Sequence, residues 1–204
     1  MRASKISSGP FALFVLKVVF TFITIGGIQM AHIRLLGISG SLRKDATNAM
    51  LLREAALLFG ECDYTQANID FPLYDGDDET ANGVPEAVQL LARQIADADA
   101  VIISTPEYNK GPSGALKNAL DWVSRVDHHP WASKPIAVMS AAAGRAGGER
   151  AQMVLRGFMV PFRPRILQGP EIHLAGSANA FDENGHLTGE MYIKDLTALM
   201  ENLR

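Results

Sequence analysis

The sequence has a single cysteine and no excess of basic residues. Cys62 can form neither an intramolecular disulfide nor a C-x-x-C site, which suits a reducing compartment, so we expect a cytoplasmic protein. The net charge of −3, from 19 Lys and Arg against 22 Asp and Glu, argues against a nucleic-acid surface, because such surfaces need basic side chains to neutralise phosphates. His128 and His129 have no third ligand at metal-binding spacing, so we expect no metal site.

The N-terminal segment, residues 1–30, contains an apolar stretch that makes a poor membrane span. Residues 11–28 are apolar except for one lysine, two threonines and two glycines. A stretch of about 18 residues is at the lower limit for a spanning helix, and Lys17 at its centre costs about 2.5–3.5 kcal/mol. We expect Met30 to be the true start and residues 1–30 an added extension, with an uncleaved membrane anchor or a targeting peptide as alternatives. Residues 31–204 then form one domain.

From residue 31 onward, short apolar runs alternate with segments of helical periodicity. The predicted strands are 33–38, 63–69, 100–104, 134–140 and 165–174, the last interrupted by Gly169-Pro170. The predicted helices include one that begins at Pro85 and the segments 114–123, 149–159 and 189–203, whereas 71–78 is predicted to be a loop. This alternation predicts an α/β fold with a doubly wound, five-stranded parallel sheet and helices on both faces. Ligands of such sheets bind beyond the carboxyl ends of the strands.

The loop after the first predicted strand, in the stretch 37–48 (GISGSLRKDATN), has the composition of an anion site. It leads into a helix whose first N–H groups and dipole favour a negative charge. Hydroxyl, amide and guanidinium donors for phosphate oxygens are Ser39, Ser41, Arg43, Thr47 and Asn48. The spacing fits neither G-x-G-x-x-G nor the P-loop. The alternative is an ordinary serine-rich turn in which Thr47 caps the helix.

The loop after the third strand, 105–114 (TPEYNKGPSG), can present its backbone to a flat heterocycle. Pro106 stiffens the exit from the strand, and two glycines return the chain to a helix. Tyr108 and Asn109 are candidates to pack beside such a ring. Without the other loops, this segment would be interpreted as a proline-rich turn.

The loop after the fourth strand, 140–150 (SAAAGRAGGER), has small side chains that let a ring approach the backbone closely. Arg145 and Arg150 are available for a second phosphate-bearing ligand, although a glycine loop with solvated arginines would have the same composition. Since the three loops should lie at the same sheet edge, together they predict a site for a planar group that carries a phosphate.

Three motifs in this order resemble the NADPH-dependent FMN reductase family, a flavodoxin-like group that includes quinone, chromate and some azo-dye reductases. They are GSLRKDATN, TPEYNKGPSGALKNALDWVSR and KPIAVMSAAAGRAGGERAQMVLR. The resemblance runs from about residue 33 to 175. It implies a flavodoxin-like, three-layer α/β/α fold, bound FMN, NADPH as the electron donor, and a homodimer or homotetramer.

The resemblance also implies roles for individual residues of this chain. The family's phosphate loop corresponds to Ser39, Ser41, Arg43, Thr47 and Asn48. The loop that contacts the flavin ring, largely through its backbone, corresponds to Pro106, Glu107, Tyr108 and Asn109. Positions beside the flavin after strand four correspond to Ser140, Ala141 and Gly144, and Arg145 is the candidate for NADPH. We expect no catalytic side chain, and a positioning role for Glu107, because hydride transfer to the flavin needs no protein base.

The expected function is hydride transfer from NADPH to bound FMN and onward reduction of a quinone, free flavin, chromate or an azo compound. The alternative is a flavodoxin-type electron carrier or a flavin-binding regulatory module that does not react with NAD(P)H. Reduction of the flavin by NADPH in the absence of air distinguishes the two. We expect a membrane partner only if residues 11–28 form a real anchor.

Overall fold

The structure is a computed structural model, and the residues that it describes are 32–204. The expectations for residues 1–30 lie outside the described residues. The strands within 32–204 are β1 (Arg34–Ser39), β2 (Asp63–Ala67), β3 (Ala100–Thr105), β4 (Pro135–Ala141), β5 (Arg165–Ile166) and β6 (Ile172–Leu174). The α-helices are α1 (Thr47–Phe59), α2 (Gly76–Asn82), α3 (Glu86–Asp97), α4 (Gly114–Val123), α5 (Glu149–Met159) and α6 (Glu190–Leu203).

The strands form one parallel sheet in the order β2-β1-β3-β4, and β5 and β6 both pair with β4. The two short strands occupy successive parts of one position, so the predicted fifth strand 165–174 is confirmed as an interrupted one. The interruption contains Pro170, which has no N–H to donate to the ladder. The strand order reverses between β1 and β3, and this switch point places the ends of β1, β3 and β4 side by side.

Two hydrophobic cores cover the two faces of the sheet. One core contains the apolar sides of α3, α4 and α5, and the other those of α1 and α6. Along β3, Val101 and Ile103 face the first core, whereas Ala100 and Ile102 face the second. Every residue of β3 is buried, as the continuous β-branched run predicts for a strand covered on both faces. The three-layer α/β/α prediction is therefore confirmed.

Most predicted helix boundaries agree with the structure, and one segment differs. Helices α4 and α5 have the predicted bounds, and Pro85 is the N-cap of α3. The predicted loop 71–78 was wrong in part, because α2 begins at Gly76. The Asp75 side chain starts this helix by accepting a hydrogen bond from Asp77 N at 2.9 Å. Hydrophobic periodicity could not reveal α2, since none of its residues is buried.

Within residues 32–204, no helix combines the length and the apolar character that crossing a bilayer requires.

Candidate functional site

A cavity of about 640 Å³ opens at the carboxyl ends of the strands. Its volume is within the range of pockets that bind small molecules and cofactors. The lining residues come from the loops after β1, β3, β4 and β6 and from the start of α1: Ser41, Arg43, Asp45, Ala46, Thr47, Asn48, Met50, Pro106, Glu107, Tyr108, Ala141, Ala142, Ala143, Gly144, Ala146, Gly147, Gly148, Ser177 and Ala178. The three predicted loops therefore meet at one cavity. Of the predicted site residues, Ser39, Asn109, Ser140 and Arg145 do not line it.

Helix α1 begins at this cavity without a cap. Its N-cap residue is Ala46, which has no side chain to bond the free amides, and its first turn contains no acidic residue. Every other α-helix among residues 32–204 has a side-chain cap or an acidic residue in its first turn. The alternative in which Thr47 caps the helix is wrong, since Thr47 is already its first residue. The unpaired amides and the dipole of such a helix start favour a negatively charged group in the cavity.

The loop between β1 and α1 is held by its own serines. Ser39 Oγ donates to Ser41 O at 3.1 Å and accepts from Ser41 N at 3.2 Å, and Ser41 Oγ accepts from Arg43 N at 3.4 Å. Ser39 is buried and shapes the turn, whereas Ser41 and Arg43 reach the cavity. No described residue forms an ion pair with Arg43, so its guanidinium is available to a ligand.

Thr47 is hydrogen-bonded to Ser177, which lies outside the three predicted loops. Thr47 Oγ1 donates to Ser177 Oγ at 3.1 Å, and both residues line the cavity. Ser177 lies just after β6, which is the second half of the interrupted fifth strand. The loop after the fifth strand begins at the same sheet edge as the other three loops, so the topology alone was a signal that this loop should be included.

Asn48 is buried and its amide is already hydrogen-bonded within the protein. Its Oδ1 accepts from Ser104 Oγ at 2.8 Å and from Ala141 N at 3.0 Å, and its Nδ2 donates to Ala141 O at 3.0 Å. The side chain thus connects the start of α1 to the ends of β3 and β4. Although Asn48 reaches the cavity wall, these contacts indicate that it holds the loops in place.

The loop after β3 is a tight hairpin anchored at its base. Tyr108 and Gly111 exchange two backbone hydrogen bonds of 2.9 and 3.1 Å, and Asn109 and Lys110 between them have φ values of 51° and 71°. Asparagine is favoured in this left-handed region, so the geometry of the turn accounts for Asn109. At the base, Ser113 Oγ caps α4 by accepting from Leu116 N at 3.2 Å.

Ser113 also ties this loop to the one after β1, because its hydroxyl donates to Gly40 O. Gly40 N in turn donates to Ser104 O at 2.7 Å. The two loops are therefore fixed relative to each other by hydrogen bonds at the sheet edge.

Glu107 lines the cavity and holds the start of α5. Its carboxylate accepts from Ala151 N, in the first turn of that helix, at 3.2 Å. Lys110 Nζ lies 4.0 Å from the other carboxylate oxygen. A carboxylate at a helix N-terminus stabilises the helix, so the contacts agree with the expected positioning role.

The loop after β4 depends on two glycines. Gly147 (φ 59°) lies so close to the backbone that a Cβ atom would be 2.2 Å from His173 O, and at Gly148 (φ 93°) it would be 2.7 Å from Ser140 Cβ. Ser140 Oγ donates to Gly147 O at 2.6 Å and accepts from Gln152 Nε2 at 2.8 Å. Ser140 therefore fixes the shape of this loop from behind the cavity wall.

The exposed part of this loop gives the cavity a wall of small residues. Ala142, Ala143 and Gly144 line it, and apart from Gly144 and its two chain neighbours no residue has a heavy atom within 4 Å of the Cβ position of Gly144. Arg145 follows them and is exposed. Such a wall leaves space for a flat group next to the backbone. In residues 32–204, no three His, Cys, Asp or Glu side chains are grouped so as to hold a metal ion.

Known proteins share both the sequence pattern and the architecture. The pattern of the NADPH-dependent FMN reductases matches residues 33–178. The chain belongs to this family. An NAD(P)H-dependent FMN reductase of Pseudomonas aeruginosa is 43% identical over 157 residues, which are 76% of this chain and 84% of the relative. A quinone reductase of Escherichia coli K12 is 37% identical over 165 residues, 74% of this chain and 88% of the relative.

A solved structure of a similar flavoenzyme supports the same fold and family. The flavoenzyme NAD(P)H:(acceptor) oxidoreductase FerB of Paracoccus denitrificans superposes with a TM-score of 0.75 at 32% identity, covering 83% of this chain and 94% of FerB. The predicted flavodoxin-like fold, the family, and the class of NAD(P)H-dependent flavin oxidoreductase that uses FMN are thereby confirmed.

Proposed function

We propose that the cavity binds FMN with its phosphate at the start of α1, and that the protein reduces quinones with NADPH. The observation that carries this proposal is the uncapped N-terminus of α1, which opens on the cavity beside Arg43. The backbone amides of Thr47 and Asn48 are bonded to no described residue, and a phosphate would satisfy them. The other α-helices have their own caps or acids and lack this need.

The chemistry of the lining residues fits FMN from one end to the other. Arg43, Ser41 and Thr47 supply the guanidinium and hydroxyl donors that a phosphate prefers. The small wall of Ala142, Ala143 and Gly144 leaves space for a ring system. In this proposal the side chains of Asn48, Ser39 and Ser140 act indirectly, because their hydrogen bonds hold the loops in position. Asn109 contributes the left-handed backbone conformation of its turn.

When bound, FMN supplies two-electron chemistry, through which NADPH, a proton and a quinone become NADP⁺ and a hydroquinone. The protein's own contribution is to orient the bound molecules and to stabilise their negative charge. The loop amides and Arg43 favour negative charge at the start of α1, whereas Asp45 and Glu107 place carboxylates elsewhere in the lining. Pro106 and Tyr108 form one side of the cavity. Arg145 lies exposed beside the small-residue wall and is our candidate for the 2′-phosphate of NADPH.

Quinones are our proposal for the acceptor because several relatives are named for them, including the Escherichia coli quinone reductase. Free flavin, chromate and azo compounds are the other candidates. We propose a homodimer or homotetramer in the cytoplasm, following the family resemblance and the single cysteine, and a domain that consists of residues 31–204.

The visible spectrum of the purified full chain, before and after anaerobic addition of NADPH, tests the proposal. A flavin spectrum that is bleached by NADPH, and restored by a quinone, is the expected result. A flavin that stays oxidised would indicate an electron carrier or a regulatory module. A colourless protein that takes up no added FMN would contradict the assignment of the cavity.

A further inference from the structure

A second cavity of about 390 Å³ adjoins the flavin cavity. It lies between the loop after β1 and the start of α4, and it shares Ser41, Arg43 and Tyr108 with the larger cavity. We refer to it as the side cavity, and its other walls are Gly40, Leu42, Ser113, Gly114 and Ala115. The two cavities therefore adjoin at these three side chains, and Tyr108 is the one of them that lies on the loop after β3.

The side cavity presents carbon rather than polar groups. Leu42 and Tyr108 are each 54% exposed and come from different loops. The Ser113 hydroxyl is already used, since it caps α4 and donates to Gly40 O. The start of α4 is thus satisfied, in contrast to the start of α1, and it does not need an anion. Arg43 is the one charged residue of the wall, and it lies on the boundary with the flavin cavity.

We propose that the side cavity binds the apolar substituent of a quinone whose ring occupies the flavin cavity. Leu42 and Tyr108 expose apolar surface to water beside a polar cavity. Covering this surface with a hydrocarbon group removes it from water, which is favourable in free energy. Because Tyr108 lines both cavities, a polar, planar head in one cavity and an apolar tail in the other would lie next to each other at this side chain. This inference rests on the proposed function and adds a substrate class to it, namely quinones with an alkyl side chain.

The test compares two quinones that share the same ring, 2,3-dimethoxy-5-methyl-1,4-benzoquinone and its 6-decyl derivative. Binding of each to the flavin-loaded, oxidised full chain is measured by calorimetry without NADPH, so that no turnover occurs. The KM of each quinone is then measured with NADPH. Leu42→Ala removes part of the apolar wall, and Leu73→Ala is the matched control, because Leu73 is also an exposed loop leucine (83%) and lines neither cavity.

We expect the decyl derivative to bind the unaltered protein at least tenfold more tightly than its parent. In Leu42→Ala this preference should fall about fivefold, since part of the buried hydrocarbon contact is lost. The affinity for the parent quinone should not change, and Leu73→Ala should behave as the unaltered protein. The ratio of the KM values of the two quinones should show the same preference and the same fall in Leu42→Ala.

Four results would overturn the inference. The first two are equal binding of the two quinones and an equal effect of Leu42→Ala on the binding of both. The third is a rise in the KM of NADPH in Leu42→Ala, which would place the dinucleotide in the side cavity. The fourth is a change in the sedimentation mass of Leu42→Ala without a change in quinone preference, which would place a second copy of the chain there. Failure of NADPH to bleach the flavin would instead contradict the proposed function, and the calorimetric comparison would still decide the inference.

Discussion

Asn48 illustrates how the side chain of a residue in a binding motif can be fully hydrogen-bonded within the protein. Its amide makes three hydrogen bonds to β3 and β4, and it is 3% exposed. A residue type and its position in a motif do not distinguish a ligand donor from an internal brace. That distinction requires the packing around the side chain, which the sequence does not contain.

Asn48→Ala should therefore destabilise the flavin-free protein. The substitution leaves Ala141 N and the Ser104 hydroxyl without their buried partner, which costs about 1–3 kcal/mol for each unsatisfied group. Urea unfolding of the flavin-free protein measures the effect. The exposed Asn82, which donates to Asp78 Oδ1 on α2, provides the control, and Asn82→Ala should change the free energy of unfolding by less than about 0.5 kcal/mol. Unchanged stability together with weakened FMN binding would show that Asn48 contacts the cofactor directly.

Glu107 allows the positioning role to be separated from acid–base catalysis. Glu107→Gln retains an oxygen that can accept from Ala151 N, so anaerobic flavin reduction by NADPH should slow by no more than a few fold. Loss of a general base would reduce the rate by about 10²–10⁴-fold. Stopped-flow absorbance measures this rate. Glu107→Ala also removes the acceptor and should lower the melting temperature, whereas Glu107→Gln should largely preserve it.

Cys62 should react slowly with alkylating reagents in the folded protein. Burial raises the pKa of its thiol and the nearby Asp63 raises it further, against a smaller opposing effect of Arg204. The thiolate is the reactive form, and folding therefore reduces the thiolate fraction at every pH below the raised pKa. Iodoacetamide labelling across alkaline pH should be slower for the native than for the urea-unfolded chain, and the two rates should converge above the raised pKa. Equal rates throughout would contradict the effect of burial.

We propose that helix α1 favours a phosphorylated flavin, because its first turn has neither a side-chain cap nor an acidic residue. The flavin-free protein should bind FMN more tightly than riboflavin, which lacks the phosphate. Arg43→Ala should reduce this ratio by about 10–100-fold, as loss of a charged hydrogen bond is worth about 1.5–3 kcal/mol. Fluorescence titration gives both dissociation constants.

Lys44→Ala is the matched control for Arg43→Ala. Lys44 is the neighbouring residue in the same loop, is exposed and does not line the cavity. The ratio of the two dissociation constants should remain nearly unchanged in this variant. If both variants lower it equally, the effect comes from net charge, and Arg43 has no specific contact with the phosphate.

At the scale of elements, the apolar pattern of the sequence predicted the helices and strands that contribute buried residues to the two cores. The buried residues of α1, α3 and α5 repeat at helical spacing, and β3 is a continuous apolar run. The helix α2 was not predicted, because it is stabilised by Asp75 at its start and buries nothing. The role of Ser177 was missed for another reason, since its partner Thr47 is 130 residues away in sequence.

For the molecule as a whole, we predict that residues 31–204 are sufficient for folding and flavin binding. Both faces of the sheet are covered by helices from within residues 32–204, and the cavity is lined by these residues. A chain that starts at Met30 should therefore bind FMN as tightly as the full chain. Its melting temperature in the flavin-loaded form should also be the same. Fluorescence titration and calorimetry of the two chains provide the comparison, with fractionation to test attachment of the full chain to membranes.

A fall in FMN affinity or in melting temperature on removal of residues 1–29 would contradict this domain boundary. Recovery of the full chain in the membrane fraction, with the shorter chain in the supernatant, would instead support the anchor among the alternatives for the N-terminal segment. The two outcomes are independent, because one concerns FMN binding in the cavity and the other concerns the distribution of the protein between membrane and supernatant.

The uncapped start of α1 has a consequence for the lifetime of the protein in a cell. This helix packs against α6, β1, β3 and β4, so the free amides at its start lie on an element that much of the second core depends on. A cofactor that binds only the folded chain adds about 2.7 kcal/mol of stability when its free concentration is 100 times its dissociation constant. If the backbone groups at the start of α1 bind the FMN phosphate as we propose, the supply of FMN changes the fraction of molecules that are unfolded and open to proteases.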